Sequence, residues 1–319
     1  MKKSLLTFGK IFVTVALVLW LIERVDWRIV RSELSEVSLA LLFLYGVFQL
    51  TGNLISVRKW QVIAEYKGLS FSLREGFFTY MTGAFINNFL PSTIGGDTYR
   101  GLWLARHSGA RAAGISTVVF DRFIGLWTTA VLGLILSFTL WSDIRESVAL
   151  STTLLALVGF LLADLVITYL YCRQWFRDCV GRIPFVKVRR LFEEIIFYTK
   201  KGIWLRTSMW SGLFILVGIG LSNYTLFRAL GIDISFLAFF SVILLVAIVV
   251  NLPISINNIG VKEWAYVVFF GLVGVSAETA VTAALLSRFI QMILSFVAIP
   301  QYFKMRRNST HQTIEKAVE

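Results

Sequence analysis

Apolar stretches of about 20 residues alternate with short polar segments along most of this chain. A transmembrane helix needs about 20 apolar residues to cross a hydrocarbon core of ~30 Å. Lys10 interrupts the first run, which continues without a small-residue cleavage motif, so we expect a retained span there rather than a signal peptide. The pattern predicts six full spans, at residues 5–22, 37–57, 112–141, 148–171, 207–227 and 279–302.

Two further apolar segments are shorter and end at a proline. Residues 76–90 stop at Pro91, and residues 236–252 stop at Pro253. Because proline breaks a helix, neither segment is expected to cross the bilayer simply. The predicted fold class is therefore all-α: a polytopic membrane protein with about six full spans and two re-entrant helical hairpins.

The composition supports a membrane protein and excludes most soluble classes. The chain is 57% hydrophobic and 16% charged, with a mean hydropathy of +0.74. Its net charge of +12 comes from basic residues between the apolar runs, where they set membrane orientation, so we expect anionic lipid and not nucleic acid as the partner. Cys172 and Cys179 lack nearby histidines, so we expect no metal and no cofactor.

The distribution of basic residues predicts the topology. Residues 172–206 contain nine Lys/Arg against three Asp/Glu, which places them in the cytoplasm. If both hairpins are re-entrant, both termini share that side. We expect a multi-pass protein of the cell membrane with one membrane domain, 1–303, and a cytoplasmic tail, 304–319. Residues 172–206 would form an amphipathic cytoplasmic connection.

The two broken segments resemble each other. The first reads NFLPSTIGGD over residues 88–97, and the second reads NLPISINNIGVKE over residues 251–263. In each half, 25 residues separate a carboxylate from an arginine: Asp97 from Arg122, and Glu263 from Arg288. We interpret residues 37–171 and 207–303 as an internal repeat of inverted topology, a plan common among transporters with a midplane site.

A helix that is interrupted within the membrane can provide a binding site for an anion. Such backbone is tolerated only where protein buries it or where it lines a wet cavity. A helix restarting after each glycine would present free N–H groups and a favourable dipole to a phosphate. Arg122 and Arg288 lie within apolar runs, where a charge is costly, and a guanidinium binds phosphate bidentately. We expect the two arginines to bind one lipid phosphate jointly; alternatively, each only neutralises the carboxylate of its own repeat.

The neighbouring polar residues offer further contacts to a headgroup. Asp97 and Glu263 would hold the arginines, exchange protons, or simply cap the short helices. Arg100, Arg106 and Lys262 would attract the headgroup or lie at the membrane boundary. The predicted substrate-binding set, without catalytic or metal-binding members, is Asn88, Ser92, Thr93, Gly95, Gly96, Asp97, Arg100, Asp121, Arg122, Asn251, Ser255, Asn258, Gly260, Lys262, Glu263 and Arg288, with Asn87 and Asn257 as further amides.

These motifs resemble those of a known family. Arg58-Lys59-Trp60, the NFLPSTIGGD segment followed by Tyr99-Arg100, the Asp121-Arg122 pair and the late Gly260-x-x-Glu263 look like the transmembrane region of lysylphosphatidylglycerol synthases. The resemblance covers roughly residues 5–303, and the Gly-Gly-Asp segment is its most specific part. It implies a multi-span fold and flippase-like lipid translocation.

The chain also departs from those synthases. They carry a large soluble C-terminal domain that transfers an amino acid from aminoacyl-tRNA, whereas residues 304–319 form only a short polar tail. We therefore expect no synthase activity and no enzyme, but a translocase for an anionic phospholipid or a polyprenyl-phosphate-linked lipid. The alternatives are a membrane glycosyltransferase or sugar-lipid synthesis protein, and a lipid-binding scaffold for a lipid-modifying or glycosyltransferase partner.

The hairpin topology can be tested by cysteine labelling. With both hairpins re-entrant, single cysteines within residues 100–111 should react only with reagent added from the cytoplasmic side. Labelling of these positions from outside would contradict the paired re-entrant arrangement.

Overall fold

The computed structural model describes residues 2–90, 94–138, 148–171, 197–198, 202–251 and 254–300, and all regular secondary structure in them is helical. The prediction of an all-α protein is confirmed. The principal helices are α1 (Lys2–Arg24), α2 (Trp27–Glu36), α3 (Leu39–Glu65), α4 (Leu73–Phe89), α5 (Ile94–Ser108), α6 (Arg111–Ser137), α7 (Val148–Tyr171), α8 (Trp204–Ala229, with a π-helical segment Ile215–Leu221), α9 (Phe236–Val250), α10 (Val261–Gly271) and α11 (Ala277–Ser295).

Local sequence sets where several helices begin. Ser72 and Glu75 form a reciprocal capping box at the start of α4, with the Glu75 N–H donating to Ser72 Oγ and the Ser72 N–H donating to Glu75 Oε2. Ser235 and Ser276 cap α9 and α11 in the usual way, by accepting a backbone N–H. Gly260 precedes α10 with φ of 81°, a conformation that favours glycine.

Within the described residues, four helices are long and apolar enough to span a membrane: Leu39–Glu65, Ala112–Ser137, Trp204–Ala229 and Ala277–Ala298. The predicted spans at 5–22 and 148–171 coincide with α1 and α7, whose role as spans stays a prediction. One boundary was wrong. We placed the end of the second span at residue 57, but α3 continues to Glu65 and buries Lys59 and Trp60.

The same order of elements occurs twice. A long helix, a short helix, a break, a short helix and a long helix follow one another in α3–α6 and again in α8–α11. The packing is reciprocal: α4 contacts α11, and α9 contacts α6, so the first short helix of each half packs on the last long helix of the other. These two contacts between helices of different halves join the halves to each other.

Glycines allow the helices to approach at two crossings. A Cβ at Gly96 would lie 2.2 Å from the carbonyl oxygen of Gly83, so α4 and α5 touch backbone to backbone. At the centre, α3 and α8 meet where a Cβ at Gly52 would lie 2.5 Å from the Cα of Gly218. Both contacts require the absence of a side chain.

The second break, which lies between α9 and α10, packs against α1. The N–H of Ile256 donates to Thr14 Oγ1 at 3.0 Å, and Gly260 lies beside Leu17. Thr14 is near the middle of α1, so this break lies at half the height of that helix.

Some predicted features fall outside the described residues. They are the tail 304–319, most of the amphipathic connection 172–206, both break prolines (Pro91 and Pro253), and the candidate residues Ser92 and Thr93.

The α4–α5 crossing predicts the effect of a single methyl group. Gly96→Ala should destabilise the folded protein by about 1–3 kcal/mol, because two backbones must separate to admit the Cβ. Thermal unfolding in detergent would measure the loss. Gly212→Ala is the matched control, since nothing lies within 4 Å of a Cβ at this helical position. Equal melting temperatures for the two variants would contradict the close crossing.

Candidate functional site

The first break lies between α4 and α5. An ion pair between α5 and α6 forms directly after it. Arg122 donates from Nε to Asp97 Oδ2 at 2.7 Å and from Nη2 to Asp97 Oδ1 at 3.1 Å. The two bonds form a bidentate fork. Asp97 lies in the first turn of α5, and 51% of the Arg122 side chain is exposed. The arginine is therefore neutralised yet accessible.

The second break is held by the matching pair. Arg288 donates from Nε and Nη2 to Glu263 Oε1, at 3.2 and 3.0 Å. It also donates to the carbonyl oxygens of Asn257 (3.0 Å) and Asn258 (3.1 Å). Both asparagines have positive φ, a conformation that asparagine tolerates better than most residues. Arg288 thus fixes the turn itself.

Glu263 has two of the roles that the sequence suggested for it, helix capping and pairing with an arginine. Glu263 Oε2 accepts the N–H of Gly260 at 2.8 Å while Oε1 binds Arg288, so one side chain both caps α10 and pairs with the arginine. At the first break, Asn87 Oδ1 accepts the N–H of Gly96 at 2.7 Å. These two glycine amides, which we expected to be free for a ligand, are occupied by the protein.

A buried charge cluster lies behind the first pair. Asp121 binds Lys59 Nζ at 3.0 Å through Oδ1 and Arg100 Nη2 at 2.9 Å through Oδ2, and all three side chains are at most 6% exposed. Arg100 also lies between two rings, 4.6 Å from Trp60 and 4.3 Å from Tyr80. Asp121 and Arg122 thus pair with different partners despite being adjacent.

The end of α4, just before the first break, and the second break line a central cavity of about 380 Å³. This volume lies within the range of small-molecule sites. We call it the central cavity. Its polar walls come from the end of α4, the second break and the facing helices: Asn87, Asn88, Asn223, Asn251, Asn257, Asn258, Lys262, Tyr266, Arg288 and Gln291.

A smaller cavity of about 200 Å³ adjoins it, and we call it the side cavity. Arg122, Lys59 and Asp121 line the side cavity, whereas Arg288 lines the central one. Asn251 and Ile219 line both. The two arginines therefore do not converge on one cavity in this conformation.

The remaining candidate residues take varied positions. Gly95 lies in the first turn of α5, Asn88 donates to Ser295 Oγ of α11 at 2.8 Å, and Ser255 is buried in the second break. Lys262 donates to Ser287 Oγ at 2.7 Å and lines the central cavity. Arg106 is exposed in the last turn of α5.

Sequence reasoning missed several residues of the site. Lys59 lay outside the predicted span 37–57, although a lysine beside Trp60 near the end of an apolar run was a usable signal. Asn223 and Tyr266, joined by a 3.0 Å hydrogen bond, also line the central cavity. The short polar run Ser222-Asn223 within the predicted span 207–227 was the clue to that position.

The chain matches the family model described as the lysylphosphatidylglycerol synthase TM region over residues 7–299. It belongs to this family. The resemblance drawn from the Gly-Gly-Asp motif is thereby confirmed, and the family accounts for the membrane character of the chain. A UPF0104 membrane protein from Methanothermobacter thermautotrophicus is 24% identical over 272 residues, covering 76% of this chain and 80% of that protein. No solved structure matches the chain.

The buried cluster predicts a strong dependence on Asp121. Asp121→Asn would leave Lys59 buried without a carboxylate and Arg100 with only its 3.5 Å contact to Asp97, which should cost about 3–5 kcal/mol of folding stability. Asp26→Asn is the control: Asp26 pairs with Arg28, which is 93% exposed, and asparagine caps a helix equally well. Thermal unfolding and the yield of monodisperse protein would measure both variants. Similar stability of the two would contradict a structural role for the cluster.

Proposed function

We propose that this protein is a lipid translocase that moves a lipid with an anionic phosphate headgroup between the two leaflets. The observation that carries the proposal is the central cavity, because residues at or beside both breaks line it together with two cationic side chains, Lys262 and Arg288. The headgroup would occupy this polar space while the acyl or polyprenyl chains stay in the surrounding bilayer.

The cavity has an apolar wall suited to such a ligand. Val246 and Val250 of α9 and Met292 of α11 line it together with the amides. An amphipathic lipid needs polar and apolar surfaces side by side, so that its headgroup is solvated by protein while its glycerol or first isoprene region stays in apolar contact. The mixed lining supports a lipid rather than a small hydrophilic solute.

The arginine pairs would serve as exchangeable contacts. Phosphate oxygens offer a guanidinium the same geometry as a carboxylate does. An incoming headgroup can therefore replace Glu263 at Arg288, or Asp97 at Arg122, without leaving a cation unpaired. Because Arg288 also holds the carbonyls of Asn257 and Asn258, such an exchange would loosen the second break. Substrate binding is thus coupled to the shape of the hairpin.

The repeated order of helices supports a transport cycle. Transporters built from inverted repeats move one repeat against the other around a central site. Here α3 and α8 meet backbone to backbone at Gly52 and Gly218, which we take as the pivot of such a movement. We place the re-entrant hairpins, α4–α5 from the cytoplasm and α9–α10 from outside, on either side of that site.

Family membership agrees with a lipid substrate. The family description names the membrane region of an enzyme that makes a modified phospholipid. In the present chain we assign that region a transport role without covalent chemistry.

Lipid movement in proteoliposomes tests the proposal. Arg122→Ala and Arg288→Ala should each slow the leaflet exchange of fluorescent anionic lipid at least tenfold, since a charge-assisted contact contributes about 1.5–3 kcal/mol. Arg228→Ala, at a surface ion pair with Asp233 away from both cavities, should exchange lipid at the wild-type rate. Folding of each variant is checked by gel filtration and thermal unfolding. Exchange by folded wild-type protein no faster than in protein-free vesicles would overturn the proposal.

A further inference from the structure

Two buried hydroxyls at the side cavity make no hydrogen bond within the protein. Ser211 of α8 is 0% exposed, lines this cavity and has no hydrogen-bond partner among the described residues. Ser56 of α3 is 2% exposed, lines the same cavity and likewise bonds to no described residue. Burying a hydroxyl without a partner is costly. Two such hydroxyls at one cavity indicate that it encloses a ligand.

The two cations that line the side cavity also have donors to spare. The fork from Arg122 to Asp97 uses Nε and Nη2, so Nη1 makes no hydrogen bond in the part of the chain that the structure describes. Lys59 Nζ contacts the carbonyl oxygen and Oδ1 of Asp121, which leaves one of its three N–H groups. Gly125 leaves this amine uncovered, since a Cβ there would lie 3.6 Å from Nζ.

The charges beside the side cavity favour an anion. Asp121 is the one carboxylate among the described lining residues, and each of its oxygens lies within 3.0 Å of a cation. The cluster as a whole sets three cations, Lys59, Arg100 and Arg122, against two carboxylates, Asp97 and Asp121. One positive charge is therefore left over in this cluster, and a single monovalent anion would balance it.

We propose that the side cavity binds one small monovalent inorganic anion, such as chloride. Its ligands would be the spare donors of Lys59, Arg122, Ser56 and Ser211. The cavity measures about 200 Å³, against about 30 Å³ for each molecule in liquid water, so it has room for such an ion with a few waters. A halide only accepts hydrogen bonds, which matches a group of donors. This ligand is distinct from the lipid that we assign to the central cavity.

An anion at this position would join the two halves of the protein. Ser56 and Lys59 belong to α3 and Arg122 to α6, in the first half, whereas Ser211 belongs to α8, in the second. A ligand that binds only the folded arrangement stabilises it by mass action. We therefore expect chloride to stabilise the protein against unfolding and to favour the packing of α8 on α3 and α6.

Thermal unfolding of the purified protein in detergent tests the site. Sodium chloride would be replaced stepwise by sodium gluconate at constant ionic strength, so that charge screening stays the same. The melting temperature should rise with chloride concentration and level off as the site saturates, and bromide should act in the same way. Equal melting temperatures in chloride and in gluconate would overturn the proposal.

Two serine variants of α8 make the test specific. Ser211→Ala should leave the melting temperature in gluconate unchanged, because this hydroxyl has no partner in the described protein, yet it should weaken chloride binding about tenfold or more. Ser208→Ala is the matched control, since its hydroxyl is also buried without a partner but is not among the described residues that line the cavity. Broadening of the chloride NMR line would measure binding to both variants. Undiminished binding to Ser211→Ala would contradict the site.

A lipid phosphate carries the same charge as chloride, so a short-chain lipid forms a second arm of the experiment. Dihexanoyl phosphatidylglycerol would be added below its micellar concentration in gluconate. Stabilisation by this lipid that is lost in Ser211→Ala, without stabilisation by chloride, would assign the side cavity to a headgroup and overturn the proposal.

The outcome is separate from that of the transport proposal. Chloride binding that depends on Ser211 would support the anion site even where proteoliposomes show no lipid exchange. Lipid exchange by a protein that melts at the same temperature in chloride and in gluconate would support translocation and refute the anion site.

Discussion

The need to satisfy broken backbone inside an apolar helical bundle governs the rest of this structure. Lipid offers no hydrogen bonds, so every exposed amide and carbonyl at a break must find a partner in the protein or in enclosed water. Arg288 meets this need at the second break by binding two carbonyl oxygens, and Asn87 meets it at the first by accepting the N–H of Gly96. Arg288, which holds the second break, is also a group that can bind an anion.

The arrangement links stability and function through shared side chains. Asp121, Lys59 and Arg100 form a fully buried set that fixes α3, α5 and α6 relative to one another. Arg122, one residue further, is accessible and neutralised by a carboxylate that a phosphate can replace. Asp121 and Arg122, adjacent on α6, thus belong to a buried cluster and to an accessible pair, and Asp97 connects the two through its 3.5 Å contact with Arg100.

The fold class and the two breaks could be predicted from the sequence, because they depend on proline positions, on the lengths of apolar runs and on the placement of positive charges. Each of these is a property of a short segment of the chain. The equal 25-residue spacing in the two halves also anticipated the Asp97–Arg122 and Glu263–Arg288 pairs. It did not predict that the arginines line separate cavities, because that depends on how the halves pack across Gly52 and Gly218. Lys59 was missed because hydropathy ends a span at the first charge, whereas packing against Asp121 carries α3 to Glu65.

The central claim, that the headgroup passes through the cavity between the two breaks, is tested most directly by blocking that cavity. In a Cys172→Ser, Cys179→Ser background, Asn251→Cys would place a thiol at the wall shared by both cavities. Asp233→Cys would place one at a position where the native side chain is 86% exposed. Both would be labelled with a bulky thiol reagent before lipid exchange is measured. The account predicts that labelling at 251 abolishes exchange and labelling at 233 leaves it unchanged. Full exchange by protein labelled at 251 would contradict it.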